Sequence, residues 1–250
     1  MFRMLKKIVK KGRSLLLSPF VIGDYLSFRS KDKTRRFSLS LFDIFPQIFD
    51  KTLKTGFDRH YVYHTSWAAR VVKEINPVVH IDIASSLYFA GIVSAFVPVD
   101  FYDYRPADLK LSNLNSKQGD LLHLPFNDES VPSLSCMHTI EHIGLSRYGD
   151  PIDPEGDIKA CKELSRVLAK SGSLIFVTPV GKESVIEFNA HRIYTYEKVL
   201  ALFPDLTLKE FSLIPEYGEN GPLIRNADPA ALMTERYACG CFWFTKPSLS

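Results

Sequence analysis

Residues 119–144 read GDLLHLPFNDESVPSLSCMHTIEHIG, and this stretch decides the fold. Asp120 heads a loop, Leu124, Pro125 and Phe126 form an apolar plug, and Asn127 to Ser130 make a polar turn. Leu134 to Met137 then form a short apolar strand that opens into the polar set His138-x-x-Glu141-His142. Open α/β sheets build their ligand sites where strands deliver ionisable groups at their carboxyl ends.

Working outward, apolar runs and helical spacings alternate. Val78 to Ala84 reads as a buried strand, Tyr88 to Phe96 as a helix and Pro98 to Tyr104 as a second strand. Asp157 to Ala169 carries apolar residues at helical spacing, Ser171-Gly172 ends that helix, and Ser173 to Pro179 is again a strand. Thr195 to Phe203 is a helix with a Thr cap, and LTLKEFSLI and YACGCFWFTKP are two late strands. Such alternation predicts an α/β fold: a doubly wound, Rossmann-like, mostly parallel sheet with an antiparallel C-terminal edge. Upstream, DRHYVYHTSWAARVVKEI predicts a helix in which Val62, Trp67, Val71 and Ile75 share a face and which Asn76-Pro77 stops. Residues 1–55 read as a basic, helical N-terminal extension and 56–250 as the main domain.

Composition narrows the class. The 250 residues are 46% hydrophobic and 24% charged, enough for a full core in one large domain. The net charge of +3 hides an asymmetry: Met1 to Arg36 hold eleven basic and two acidic residues, whereas the rest hold twenty basic and twenty-six acidic. A main domain that is mildly acidic argues against a nucleic-acid-binding face. Lys6, Lys7, Lys10, Lys11 and Arg13 interleave with apolar residues, the pattern of a basic amphipathic helix on a membrane surface or a partner, or of a solvated extension. No apolar run reaches the ~20 residues that span a bilayer. The four cysteines match no zinc-finger spacing and read as reduced, mostly buried thiols of a cytoplasmic protein.

Three segments in order, GDLLHLPFNDES, HTIEHIG and ELSRVLAKSGSLIFVTP, resemble class I S-adenosylmethionine-dependent methyltransferases over about Val78 to Phe203. The strings HTIEHIGLSRYGDPIDPEGD and FNAHRIYTYEKVLALF further resemble a bacterial subfamily of unknown function associated with polysaccharide biosynthesis. The resemblance implies S-adenosylmethionine as cofactor and, with that context, an O-methyltransferase acting on a sugar or glycan precursor. It places Asp82, Ala84 and Ser85 at the amino-acid end of the cofactor, Asp103 at its ribose, Asp120 and Leu121 at its adenine, and His138 at the border with the acceptor. One departure is plain. Strand one should end in acid-x-Gly-x-Gly-x-Gly, and here it runs Asp82-Ile83-Ala84-Ser85-Ser86-Leu87-Tyr88, with the next glycine at Gly91. Glycines there allow unusual φ and close approach of backbone to ligand.

For the acceptor, His142 or His191 is expected to take the proton from a hydroxyl. Arg147, Tyr148 and Asp150 in the loop after strand four, Asn189 and Arg192 after strand five, and His64 in an aromatic lid are expected to bind it. Asp100 competes with Asp103 for the ribose. Two rival functions follow from the same residues. One is a catalytically inactive methyltransferase-like scaffold in a glycan assembly complex, motivated by the missing glycines. The other is a zinc hydrolase using H-x-x-E-H; the leading reading assigns no metal.

Overall fold

The computed structural model describes residues 18–47 and 50–248. Compact contacts divide the chain into Met1–Phe57 and Asp58–Ser250. In the first unit, helix α1 spans Ser18–Lys31 and a 3-10 turn spans Leu41–Asp43. Tyr25 is its buried residue, and the hydroxyl donates to the Leu39 carbonyl at 3.5 Å. The basic segment Lys6 to Arg13 lies outside the described residues. Among the described residues, no helix is long and apolar enough to cross a membrane.

The second unit holds the sheet. Helix α2 (Arg59–Ile75) starts where the Asp58 carboxylate accepts the Tyr61 amide and ends at Asn76, whose left-handed backbone (φ 49°) turns the chain into Pro77. Its buried face is His64, Trp67, Ala68, Val71 and Val72, while Val62, expected on that face, is 46% exposed. Trp67 and Val71 are buried as expected and Ile75 packs against the same core, so only Val62 departs from the expected face. Strand β1 (His80–Ile83) follows, then α3 (Leu87–Val93), β2 (Val99–Asp103), β3 (Leu114–Gln118) and β4 (Val131–Met137). Helix α4 (Gly156–Val167), β5 (Leu168–Val180), a two-stranded ribbon of β6 (Val185–Glu187) and β7 (His191–Ile193), α5 (Tyr196–Leu202), β8 (Thr207–Ile214) and β9 (Ala238–Thr245) complete the unit.

The seven-stranded sheet runs β3-β2-β1-β4-β5-β9-β8. All neighbours are parallel except β9, which lies antiparallel to both β5 and β8, so the reversed strand sits one place in from that edge. Strand side chains alternate between two cores. Leu174, Phe176, Phe242 and Phe244 meet α4 and α5 on one face. Ile175, Val177, Cys239, Cys241 and Trp243 meet α2 and α3 on the other. Burial on both faces explains why β1, β5 and β9 read as continuous apolar runs. Strand β3 (LNSKQ) was not expected, because as an edge strand it buries Leu114 and little else.

Helix α2 is held to β8 by a polar contact that matters for the site. The Trp67 indole donates to Glu210 Oε1 at 2.8 Å, the Ser212 hydroxyl donates to the same oxygen at 2.6 Å, and Arg225 grips both oxygens. Burial opposes ionisation of Glu210, but the hydrogen bonds from Arg225, Ser212 and Trp67 outweigh it and hold the carboxyl at about 2. A carboxyl held below its unfolded value stabilises the fold fully above that value, near 4.5, and loses the contribution as pH falls through about 2. Thermal melts should therefore show Glu210→Gln clearly less stable than the parent at pH 7, with the gap closing towards pH 2.5. An equal gap at both pH values would refute this role.

Candidate functional site

Strands β2, β1 and β4 are parallel neighbours, so their carboxyl ends lie along one edge of the sheet. Below it lies a buried polar relay. Asp82, His80, Ser133 and Ser135 are each 0% exposed. The Ser135 hydroxyl donates to Asp82 Oδ1, so it must accept from His80 Nε2, 2.9 Å away, leaving Nδ1 to accept the Ser133 hydroxyl at 2.8 Å. Burial lowers the His80 pKa to about 3, which keeps the ring neutral and this tautomer fixed. Burial pushes the Asp82 carboxyl up to about 7, against the hydroxyls of Ser135 and Ser85 and with help from the Asp103 charge. Its second oxygen, Oδ2, is buried without a partner of hydrogen-bonding geometry.

The glycine-poor turn keeps the backbone shape that glycine would give. Ala84 stands at φ 52°, in the left-handed region, and its amide donates to the Tyr102 carbonyl at 2.7 Å. A left-handed alanine costs roughly 1–2 kcal/mol. The turn is pinned from β4: the Thr139 hydroxyl donates to the Ala84 carbonyl at 2.9 Å, and the Met137 amide donates to Ser85 Oγ at 3.1 Å. Ser86 caps α3.

At the end of β2, Asp103 is half-buried and accepts the Arg105 amide on Oδ1 at 2.8 Å. Its rival Asp100 is committed elsewhere, to Lys117 Nζ at 2.7 Å and Asn115 Nδ2 at 2.8 Å on neighbouring β3. After β3, Asp120 Oδ1 accepts the Leu122 amide at 2.9 Å in a tight turn, its side chain remains 47% exposed, and Leu121 is buried.

The H-x-x-E-H residues do not form a helical metal set. His138 stands at φ 53°, residues 140–142 form a 3-10 turn, and the two histidines turn to different partners. His138 Nδ1 meets Glu141 Oε1 at 2.9 Å and its Nε2 meets Cys239 Sγ at 3.4 Å. His142 Nδ1 donates to the Ala190 carbonyl at 2.7 Å. The zinc-hydrolase reading, which needs both rings on one helical face, is thereby corrected. Burial works against an imidazolium at His138, but the Cys239 sulfur at Nε2 and then the Glu141 carboxylate at Nδ1 raise its pKa. Burial and the neighbouring Cys241 lift the Cys239 thiol above its ordinary value, against the pull of His138. Burial lowers the His142 pKa, and the fixed Nδ1–H leaves its lone pair on Nε2.

The expected acceptor residues separate into two groups. His191, Arg147 and Tyr148 sit near His142: the His191 and Tyr148 rings lie 6.4 and 5.7 Å from it, and Arg147 Nη1 donates to the same Ala190 carbonyl at 2.8 Å. Tyr148 is 52% exposed and lies under both Arg105 and Arg147. Asn189 is exposed on the segment between β6 and β7. Arg192, His64 and Asp150 are occupied by the fold instead. Arg192 is 5% exposed and donates to the carbonyls of Ile143 and Pro154 beside Asp157. His64 is 0% exposed and donates from Nδ1 to the His60 carbonyl, one turn back in α2, at 2.6 Å. Asp150 accepts the amides of Gly144, Ser146 and Tyr148, organising its own loop.

Two further rings of the expected aromatic lid, and one residue missed in the sequence, complete the site. His60 and Tyr61 on α2 pack near His138, with ring centroids 6.3 and 5.6 Å away, and the missed Tyr237 bridges His60 and His191 at 5.5 and 5.1 Å. Beside Tyr237 opens a cleft of about 490 Å³ lined by Glu187, His191, Glu216, Tyr217, Arg236 and others. Neither Tyr237 nor Cys239 carries a local signal: one precedes and the other lies in a late strand whose partners are fixed by topology alone.

Residues 127–222 match a family described as "Caenorhabditis protein of unknown function, DUF268". A curated relative, the uncharacterized protein MJ0638 of Methanocaldococcus jannaschii, is 32% identical over 78 residues, which span 30% of this chain and 29% of that protein. Among solved structures, the YcgJ protein of Bacillus subtilis superposes at TM-score 0.50 with 15% identity, covering 74% of this chain and 99% of that one. The 1,6-didemethyltoxoflavin-N1-methyltransferase of Burkholderia thailandensis, solved with bound 1,6-didemethyltoxoflavin and S-adenosylhomocysteine, superposes at 0.52 with 8% identity over 74% of this chain and 79% of that one. These likenesses establish the fold: a Rossmann-like sheet of the class I methyltransferase type.

Proposed function

We propose that this chain is an S-adenosylmethionine-dependent O-methyltransferase whose acceptor is a sugar or another polyhydroxylated molecule. The observation that carries the reading is the conformation of Ala84. The turn lacks glycines yet holds the left-handed backbone, so the floor of the cofactor crevice keeps its shape. The residues around it suit the cofactor. The unpartnered Asp82 Oδ2 lies under the turn, Asp103 offers a carboxylate at the end of β2, and Asp120 stands exposed beyond β3. A carboxylate can accept both hydroxyls of a ribose. S-adenosylmethionine, when bound, supplies an electrophilic methyl carbon; the chain orients the acceptor oxygen against it and removes a proton.

The cleft beside Tyr237 supports a hydroxylated acceptor, since carboxylates, an arginine and two tyrosine rings offer hydrogen bonds and stacking faces together. His191 lines that cleft, with Nε2 3.3 Å from Glu187 Oε2, and is the assigned base. His191→Ala should lower kcat about 100-fold or more, the usual scale for a lost general base. Calorimetry with S-adenosylmethionine and S-adenosylhomocysteine tests the whole reading. Binding tighter than about 1 mM is expected for at least one of them. Absence of binding for both would favour a non-catalytic scaffold, the reading supported by the Cβ atoms at Ala84 and Ser85.

A further inference from the structure

We propose that His60, His138 and Cys239 bind a zinc ion, a site independent of the methyl-transfer reading. Their donor atoms lie within 4.8 Å of one another. The chain brings them from three elements: the first turn of α2, the end of β4 and the start of β9. The His138 Nε2 to Cys239 Sγ separation is 3.4 Å. Tetrahedral zinc with Zn–N near 2.0–2.1 Å and Zn–S near 2.3 Å places such a pair about 3.6 Å apart. Two imidazoles with one thiolate are a donor set that zinc favours.

The surroundings are those of ligands held ready. His138 donates its far nitrogen to Glu141, whose carboxylate is 1% exposed, and this carboxylate–histidine pairing turns Nε2 towards Cys239. His64 supplies an independent observation. Its Nδ1–H is committed to the His60 carbonyl, so Nε2 carries a lone pair; that atom is buried without a partner, and the ring lies 4.9 Å from that of His138. Three protein ligands leave the fourth tetrahedral position to a water or a substrate oxygen. Glu141 and His142, the other members of H-x-x-E-H, are not ligands.

The test uses the full chain, stripped with a chelator and reloaded with zinc or cobalt(II). Elemental analysis should return about one zinc per chain, and cobalt should give a near-ultraviolet thiolate-to-metal band with visible bands of tetrahedral intensity. Cys239→Ser should abolish the thiolate band. His60→Gln, at a half-buried helix start where the fold tolerates change, should weaken zinc about 10-fold or more, and Glu141→Gln about 10- to 100-fold. Failure to retain zinc at micromolar concentration overturns the site. So does a cobalt spectrum without the thiolate band, or unchanged zinc affinity in a folded His60→Gln chain.

Discussion

Replacing Asp103 by alanine is expected to weaken S-adenosylhomocysteine binding about 100-fold. The carboxylate is half-buried at the end of β2, and the Arg105 amide occupies Oδ1 and fixes its orientation. Two hydrogen bonds from ribose hydroxyls to a charged acceptor contribute about 1.5–3 kcal/mol each, net of exchange with water, and the lower end applies at a half-exposed strand end. A net loss near 3 kcal/mol is about two decades in Kd. Asp103→Asn, which keeps one acceptor oxygen, should lose about ten-fold. Asp100→Asn is the internal control. That carboxylate holds Lys117 and Asn115 on the face of β2 and β3, so its loss should leave Kd unchanged and lower stability by at most about 1 kcal/mol. Equal Kd values for Asp103→Ala and the parent would mean that the ribose does not lie at this strand end.

The second large effect is structural. Gly144 stands at φ 79°, and a Cβ there would fall 2.0 Å from the Asp153 carbonyl oxygen. That oxygen belongs to backbone, and the two segments are tied by the Asp153 amide on the Gly144 carbonyl at 3.0 Å and the Gly144 amide on Asp150 at 2.8 Å. Alanine can be accommodated only by parting the loop that follows the site. A cost of about 4 kcal/mol or more is expected, a drop in Tm of about 8–16 °C for a domain of this size. Gly149, at φ 85° with nothing within 4 Å of its missing Cβ, separates strain from clash. Gly149→Ala should cost only the left-handed term, about 1–2 kcal/mol. Thermal unfolding of the two variants side by side decides the matter; melting within about 2 °C of each other would remove the clash argument.

What could be read in advance follows from where the information is stored. Strands β1, β2, β4 and β5 were legible because burial on both faces writes them as apolar runs, and α4 and α5 because one face writes a helical period. Strands β3 and β6 were not, since their side chains are largely exposed, and β7 was not, since three residues are too short to show a period. Within the site, the family resemblance, more than any spacing, singled out Asp82, Asp103, Asp120 and His138. Arg192 and His64 misled because a polar residue in a promising segment says nothing about whether backbone carbonyls have already claimed it. Cys239 and His138 are 101 residues apart, and only the insertion of β9 between β5 and β8 brings them together.

That insertion also bears on how the chain is made. Strand β9 is the last element in the sequence, yet it pairs with β5 from Ser173 to Val180 and with β8 from Thr207 to Ile214. During synthesis, both of those strands emerge with an open hydrogen-bonding edge that nothing earlier in the chain can close. The half-sheet from β3 to β5 has the parallel pairings it needs before β9 is made. Strand β8 must wait for the final strand, its apolar inner residues Phe211 and Leu213 on offer to any passing edge. A nascent chain halted before Ala238 is therefore a sheet with a slot between β5 and β8.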